Sequence, residues 1–344
     1  MLEIDGGEKS GSGTILRLSL ALASILHKDV HIYNIRQKRR PPGLRPQHLE
    51  AVRVAATLCN ATVTGVALGS NELWFRPGEI SGGTLKAEIG TAGSIPMLLL
   101  TVLPICAYAQ KKTELFVSKG GTDVRNAPTI NYLHHVLLPT LAKMGLVTSL
   151  NIHAFGYYPV GMGAVSLEVH PCPGLTALQL EDFGGLTQIH GLSVCTFLQE
   201  RKVAERQAQA AQACLQAHGY DAEIEVIYDT SNPRQRGSSL TLWATTHTGV
   251  LLGADAIGEL RKPSEVVGGE AAGLLLKELE ARSTVDTHLA DMLVPYVGLT
   301  EGCSSYLTRS LTEHLNTNIW LTKEILGVEL TVQKVHGLYL VKKM

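Results

Sequence analysis

Between Arg36 and Arg45 the chain carries five positive charges and no acid: Arg36, Lys38, Arg39, Arg40 and Arg45. Like charges at this density repel one another unless an anion neutralises them, and arginine forks match phosphate oxygens. Pro41-Pro42-Gly43 stiffens the segment just before an apolar helical pattern begins near Leu44. A second segment, Asp5-Gly6-Gly7-Glu8-Lys9-Ser10-Gly11-Ser12-Gly13-Thr14-Ile15-Leu16-Arg17, joins a short apolar strand to a helix. Its glycines let the backbone approach a ligand, and N–H groups at a helix start favour anions. It is neither G-x-G-x-x-G nor G-x-x-x-x-G-K-[ST], so alone it reads equally as a tight strand–helix turn. A third segment, Leu311 to Trp320, sets His314 on a helix among polar groups. Neutral imidazole attacks phosphorus, and the phosphoramidate formed remains a good donor. Spacing alone does not separate such a nucleophile from a structural histidine, and His134, His135 and His190 stand no higher.

These segments need elements to hold them. Leu2–Asp5 reads as a strand, 13–27 as a helix, Val30–Ile35 as a strand and Leu44–Cys59 as a helix. Strands near Ala61–Ala67 and Glu72–Phe75 follow, giving the order β-α-β-α-β-β. The order recurs from Leu85–Ile89 through helices near Ser94–Ala109 and Thr129–Met144 to strands near Leu146–Phe155 and Ala164–Val169. The period is about 80 to 85 residues. A third copy opens near Leu175–Leu180 and resumes with helices near 285–297 and Leu311–Leu326 and a hairpin, Val328–Gln333 with Gly337–Val341. Between its halves lies a block with helices Lys202–His218 and Ser264–Arg282 and strands Ala222–Tyr228 and Ser239–Thr246. The expected fold class is α/β: a three-repeat domain, 1–181 plus 279–344, with a smaller α/β domain, 182–278, inserted into it. The inserted block shows no aromatic platform for base stacking, and Trp243 reads as core.

The composition excludes disordered and collagen-like chains: hydrophobic residues make up 45% and charged residues only 18% of 344. The start has no basic region ahead of an apolar stretch, and no apolar run is long enough to span a bilayer, so no membrane partner and a cytoplasmic location are expected. Six scattered cysteines form neither a CxxC pair nor a Cys/His cluster and read as reduced thiols. Thirty basic against thirty-one acidic residues leaves a net charge of −1. That balance disfavours a protein that coats long nucleic acid, while the local cluster at 36–45 suits a phosphorylated end.

Taken together the segments resemble the RNA 3′-terminal phosphate cyclase family over essentially the whole chain. The resemblance rests on IDG…G.G..LR.SLALA at the start, IR..R.PGLRPQHL (Ile35 to Leu49) and GTAGS (Gly90–Ser94). KGGTD…AP (Lys119 to Pro128), GYYP.G.G (Gly156 to Gly163), VDTHLADML (Val285 to Leu293) and H..TN (His314 to Asn318) complete it. It implies three β-α-β-α-β-β repeats related to the enolpyruvyl-transferase architecture, plus a small inserted domain. It also implies three chemical steps. ATP, with a divalent metal such as Mg or Mn, adenylates a histidine and releases pyrophosphate. AMP then passes to the 3′-phosphate of RNA. The neighbouring 2′-hydroxyl attacks, giving a 2′,3′-cyclic phosphate and AMP.

By this resemblance the nucleophile falls on His314. The phosphate-binding residues fall on Arg17, Arg36, Arg39 and Gln47, while Pro128, His288 and Asp291 fall beside the adenine or the nucleotide. The chain also departs from the pattern. The family's first motif reads EGGGQ, and Ser10-Gly11-Ser12-Gly13-Thr14 stands here, so the expected metal-binding glutamate is a serine. Hard cations prefer carboxylate oxygens, which leaves Glu8 as the candidate ligand. Leu100 and Met292 stand where the family carries glutamines. The expected activity is cyclisation of an RNA 3′-phosphate. The alternatives are a weakened or inactive RNA-binding or ribosome-associated member, or a small-molecule transferase on the related architecture.

Overall fold

The computed structural model describes residues 1–344. Its first six elements are β1 (Leu2–Asp5), α1 (Gly13–Ile25), β2 (Val30–Tyr33), α2 (Pro46–Leu58), β3 (Thr62–Thr64) and β4 (Leu73–Arg76). Their strands are ordered β1-β2-β4-β3, with β1 and β2 parallel and the other pairs antiparallel. The next unit comprises β5 (Gly83–Glu88), α3 (Ile95–Ala107), β6 (Thr113–Gly120), a helical arm, β7 (Thr148–Ala154) and β8 (Gly163–Val169). The arm is α4 (Ile130–Tyr132), a π-helical segment (Leu133–Leu137) and α5 (Leu138–Lys143). Its sheet, β5-β6-β8-β7, repeats the order and directions of the first.

The third unit opens with β9 (Gln179–Leu180) and is interrupted by β10 (Leu186–Thr196), α6 (Val203–Gln216), β11 (Glu223–Asp229), β12 (Gly237–Thr246), β13 (Leu251–Ile257) and α7 (Ser264–Ala281). It resumes with α8 (Thr287–Leu299), β14 (Ser304–Thr308), α9 (Glu313–Leu326), β15 (Leu330–Val335) and β16 (Leu338–Lys343). The order β9-β14-β16-β15, with a parallel first pair, is the same pattern a third time. The interrupting strands make a separate sheet, β11-β10-β12-β13, against which α6 and α7 pack.

Strands β10, β13 and β14 do not stand out in the sequence, for different reasons. The end of β10 is buried on both faces, so alternation fails after Ser193. Strand β13 contains Gly253 and Asp255, both poor strand formers. The structure uses both: a Cβ at Gly253 would lie 2.5 Å from the Tyr132 ring, and Asp255 accepts a hydrogen bond from the Thr129 backbone N–H at 2.6 Å. Strand β14 is short and hydroxyl-rich, Ser-Ser-Tyr-Leu-Thr. Trp243, expected in the core, is only partly buried and stacks on His135 with ring centroids 4.2 Å apart.

The long helices place their starts where the chemistry is. α1, α2, α3, α8 and α9 pack on one another within and between the repeats, and one apolar core runs through them and into the inserted sheet. The first turns are capped by side chains. Ser12 Oγ accepts from Thr14 N at 3.3 Å, Ser94 Oγ from Met97 N at 3.2 Å and Thr312 Oγ1 from Leu315 N at 2.8 Å. Asp286 caps α8 through His288 N and Leu289 N. Such caps satisfy N–H groups that a helix leaves unpaired, and each contributes roughly 1 kcal/mol. Pro46 at the first turn of α2 lacks the N–H that would otherwise need a partner.

Candidate active site

Residues near the starts of α1 and α9 meet at the Thr14 hydroxyl. Thr14 Oγ1 lies 3.2 Å from His314 Nδ1 and accepts a hydrogen bond from Arg17 Nη2 at 3.0 Å. The Gly-rich segment is fixed to α9 a second time, because Ser10 N donates to Thr317 Oγ1 at 3.2 Å. Within this segment Gly13 comes closest to its neighbours. A Cβ there would lie 2.4 Å from His48 Nε2 and 2.9 Å from Arg17 Nη1. Gly11 has φ +51°, and a Cβ there would meet the Lys38 side chain at 2.6 Å. The basic loop therefore lies directly on the Gly-rich segment, and Lys38 Nζ donates to the Lys9 carbonyl at 2.7 Å.

Arg36 adopts a left-handed backbone, φ +56°. Its guanidinium donates to the carbonyls of Pro41 (2.9 Å) and Gly43 (2.8 Å). Those bonds shape the loop and hold a conformation that non-glycine residues rarely adopt. Arg39 is exposed, yet its charge reaches His314. Burial, then Arg17 and Arg39, push the His314 imidazole below its ordinary range, against a smaller opposing effect of Glu313. These effects favour the neutral ring, the form that can attack.

His48 is a site residue that the sequence reading passed over, although it stands in the same PQHL stretch as Gln47. It is buried, and Arg45 N donates to its Nδ1 at 3.3 Å, which leaves the proton on Nε2, facing Gly13. Burial and the charges of Arg17, Arg36 and Arg45 push its imidazole down to about 2. These effects favour the neutral form of His48, an N–H donor beside the start of α1. Gln47 braces a neighbouring segment instead: its Oε1 accepts from Ser94 N at 2.7 Å, at the start of α3.

Asp291 ties α8 to α9. Thr312 Oγ1 donates to Asp291 Oδ1 at 2.6 Å, and Asn318 Nδ2 donates to the Asp291 carbonyl at 2.7 Å. Burial pushes the Asp291 carboxyl up to about 7, opposed by the Thr312 hydrogen bond and by His288. His288 is exposed and meets the Tyr132 ring edge-on, centroids 6.3 Å apart. Pro128 is partly buried just before Thr129, which caps α4. Thr312 and Thr317 also belong to the site; the sequence signal for Thr312 is its place three residues before Leu315, the usual N-cap spacing.

The arrangement gathers a neutral imidazole, a neutral imidazole N–H donor, Arg17 and the positive end of α1, with the arginines of the basic loop beside them. Such a set suits a polyphosphate held against a nucleophile. The residues do not form a cage for a protein-held metal. No three His, Cys, Asp or Glu side chains converge to hold an ion. The Ser10 and Ser12 hydroxyls lie 3.0 Å apart and bond to each other, and the Glu8 side chain is exposed at the rim. Leu100 and Met292 pack against the apolar core.

A family model described as RNA 3′-terminal phosphate cyclase matches residues 8–332. The chain belongs to the RNA 3′-terminal phosphate cyclase family. A protein of Pyrobaculum aerophilum named RNA 3′-terminal phosphate cyclase is 41% identical over 343 residues, 99% of this chain and 97% of the relative. Proteins with the same name from Methanosarcina barkeri (41% over 342 residues, 98% of each chain) and Caldivirga maquilingensis (40% over 333 residues, 96% of this chain and 94% of the relative) are similar to it. The family match spans both halves of the third repeat and the inserted sheet, so similarity and repeat topology describe the same chain. No helix is long and apolar enough to cross a membrane.

The electrostatics give a test within this cyclase fold. Replacing Arg39 with Ala removes one of the cations that disfavour protonation of His314. The acid limb of the pH–rate profile for cyclase activity should then move to higher pH. The loss relative to the unaltered protein should be larger at about pH 5.5 than at about pH 8. Loss by one constant factor across the range would mean that Arg39 acts on substrate alone.

Proposed function

We propose that this chain converts an RNA 3′-phosphate to a 2′,3′-cyclic phosphate through a histidine–AMP intermediate, with ATP as co-substrate. The observation that carries the reading is the His314 imidazole, its Nδ1 3.2 Å from the Thr14 hydroxyl that Arg17 also binds, at the positive end of α1. In the first step His314 Nε2 attacks the α-phosphorus of ATP. A P–N bond forms, the P–O bond to pyrophosphate breaks, and the electron pair leaves with pyrophosphate. Arg17, the His48 N–H and the N–H groups at the start of α1 stabilise the oxygens on which charge develops. Arg36 and Arg39 at the rim hold the pyrophosphate and then the RNA end, with Gln47 bracing the start of α3. Next an oxygen of the RNA 3′-phosphate attacks the AMP phosphorus and returns the electron pair to Nε2. The adjacent 2′-hydroxyl then attacks the activated 3′-phosphorus and gives its proton to solvent; the P–O bond to AMP breaks, and AMP departs with the electron pair as the ring closes.

Pro128 and His288 flank the adenine in this reading, and Asp291 lies beside the nucleotide. A divalent ion would shield the ATP phosphates; the residues present provide no carboxylate set to hold it. Residues 1–181 with 279–344 form the catalytic unit, and 182–278 the inserted one. The inactive RNA-binding alternative has less support, since the similar proteins bear the enzyme's name and His314 sits among phosphate-directed groups.

The test is incubation with α-labelled ATP and a 3′-phosphorylated oligoribonucleotide. The expected results are a labelled protein adduct that RNA discharges and an RNA 3′ end that resists phosphatase. An end that stays sensitive with no adduct, across magnesium, manganese and cobalt, would sink the reading.

A further inference from the structure

We infer that Thr14 is a positioning residue that fixes the tautomer of His314. The inference rests on the nucleotidyl-transfer reading and goes beyond it. His314 has one hydrogen-bond partner among the protein's side chains, the Thr14 hydroxyl, which faces Nδ1 and leaves Nε2 free. For Nε2 to attack phosphorus its lone pair must be free, so the ring proton must sit on Nδ1. Only Thr14 Oγ1 lies within reach to accept that proton's hydrogen bond. A hydroxyl oxygen has two lone pairs. The guanidinium of Arg17, which can only donate, takes one at 3.0 Å, which leaves the other for the Nδ1–H of His314 in the reactive tautomer.

The position of Thr14 is itself fixed. It lies in the first turn of α1, is 9% exposed, and its backbone N–H is held by the Ser12 cap. On the opposite side, Thr317 anchors the loop through Ser10 N, and Thr317 Oγ1 donates to the carbonyl of Glu313, the residue before the histidine. The hydroxyl and the ring are thus held by two helices that pack on each other. When the P–N bond forms at Nε2, the ring becomes an imidazolium that keeps its proton on Nδ1, and the Thr14 oxygen then accepts from a charged donor. The contact strengthens as the intermediate forms, which is where a positioning group helps most.

The test compares Thr14→Val, which keeps the shape and removes the oxygen, with Thr14→Ser, which keeps the oxygen. Adduct formation from labelled ATP is expected to fall about 10- to 100-fold in Thr14→Val and to stay within about threefold in Thr14→Ser, the range typical for groups that orient a reactive histidine. The independent readout is the ring itself. In long-range proton–nitrogen spectra of histidine-labelled protein without ATP, His314, assigned by its loss in His314→Ala, should show a protonated Nδ1 and a bare Nε2. In Thr14→Val the proton should shift toward Nε2. A wild-type ring with its proton on Nε2, or a Thr14→Val protein that forms adduct at the wild-type rate, overturns the inference. The spectra need no turnover, so a failure of the nucleotidyl-transfer reading would show separately, as absence of wild-type adduct.

Discussion

His314→Ala is expected to eliminate the labelled protein–AMP adduct and to lower formation of the cyclic end by at least about a thousandfold, since loss of a covalent nucleophile removes the step itself. The side chain lies half-buried on the first turn of α9, and its one hydrogen bond is to Thr14. Truncation removes no core contact of the kind that Leu315 or Leu321 makes on the same helix. The thermal midpoint should therefore change little, since substitutions outside packed cores and buried networks stay near half a kcal/mol. A stable, folded His314→Ala protein without adduct is the expected outcome. Such a protein that still accumulates adduct would move the nucleophile elsewhere, and His48 could not replace it: its Nδ1 is occupied by Arg45 N–H and its Nε2 carries the proton. RNA binding gives a second measure. Arg17, Arg36 and Arg39 remain in His314→Ala, so salt-dependent affinity for a 3′-phosphorylated end should persist, as phosphate contacts dominate such binding.

The sequence carried the repeat clearly because each copy presents the same alternation of period-2 and period-3.6 patterns. Leu2–Asp5 and Leu73–Arg76 were legible within a residue or two, and the segment from 82 to 169 repeated them. What stayed hidden was order within the sheets, where the second strand of each copy pairs with the fourth. That pairing depends on contacts between residues tens of positions apart, and periodicity is silent on it. The periodicity of the arm between β6 and β7 fits one helix, and a π segment interrupts it at Leu133–Leu137. At the site, charge density revealed the basic loop, because five cations without an acid are conspicuous in a chain with few charged residues. His48 and Thr14 were harder to see. One buried histidine and one threonine in a turn have no signal of their own, and their roles follow from Gly13 bringing α1 against α2 and α9. The resemblance named Gln47 for phosphate, whereas its Oε1 is engaged by the start of α3. Recognition of a motif supplied a residue type, and only geometry supplied the partner.

Arg17→Met should cost adduct formation about a hundred- to a thousandfold, the range for removing one donor aimed at developing oxyanion charge. Its fold, however, should be at least as stable as the unaltered one. Arg17 is partly buried, its side chain's one hydrogen-bond partner is the neutral Thr14 hydroxyl, and burial followed by the charge of Arg36 pushes its guanidinium down to about 10. A pKa lowered in this direction means that the charged form is disfavoured in the folded state. The protein therefore bears an uncompensated cation at every pH below that value, and a phosphate would relieve it. Methionine fills the space without the charge, so the thermal midpoint without ligand should hold or rise. The stabilisation that ATP gives the unaltered protein should shrink, because binding to the folded state raises stability by mass action. Arg17→Lys tests geometry. It restores a positive charge but not the fork that reaches Thr14 while presenting Nη1 toward Gly13. Lysine should therefore recover ATP-dependent stabilisation better than it recovers the rate. The pH dependence adds a sign: Arg17 is the leading charge among those holding His314 and His48 neutral. In Arg17→Met both imidazoles should take up protons more readily, so the deficit should deepen as pH falls. A deficit that stays constant with pH, together with a lowered midpoint, would make Arg17 a packing residue and leave the anion site without its central charge.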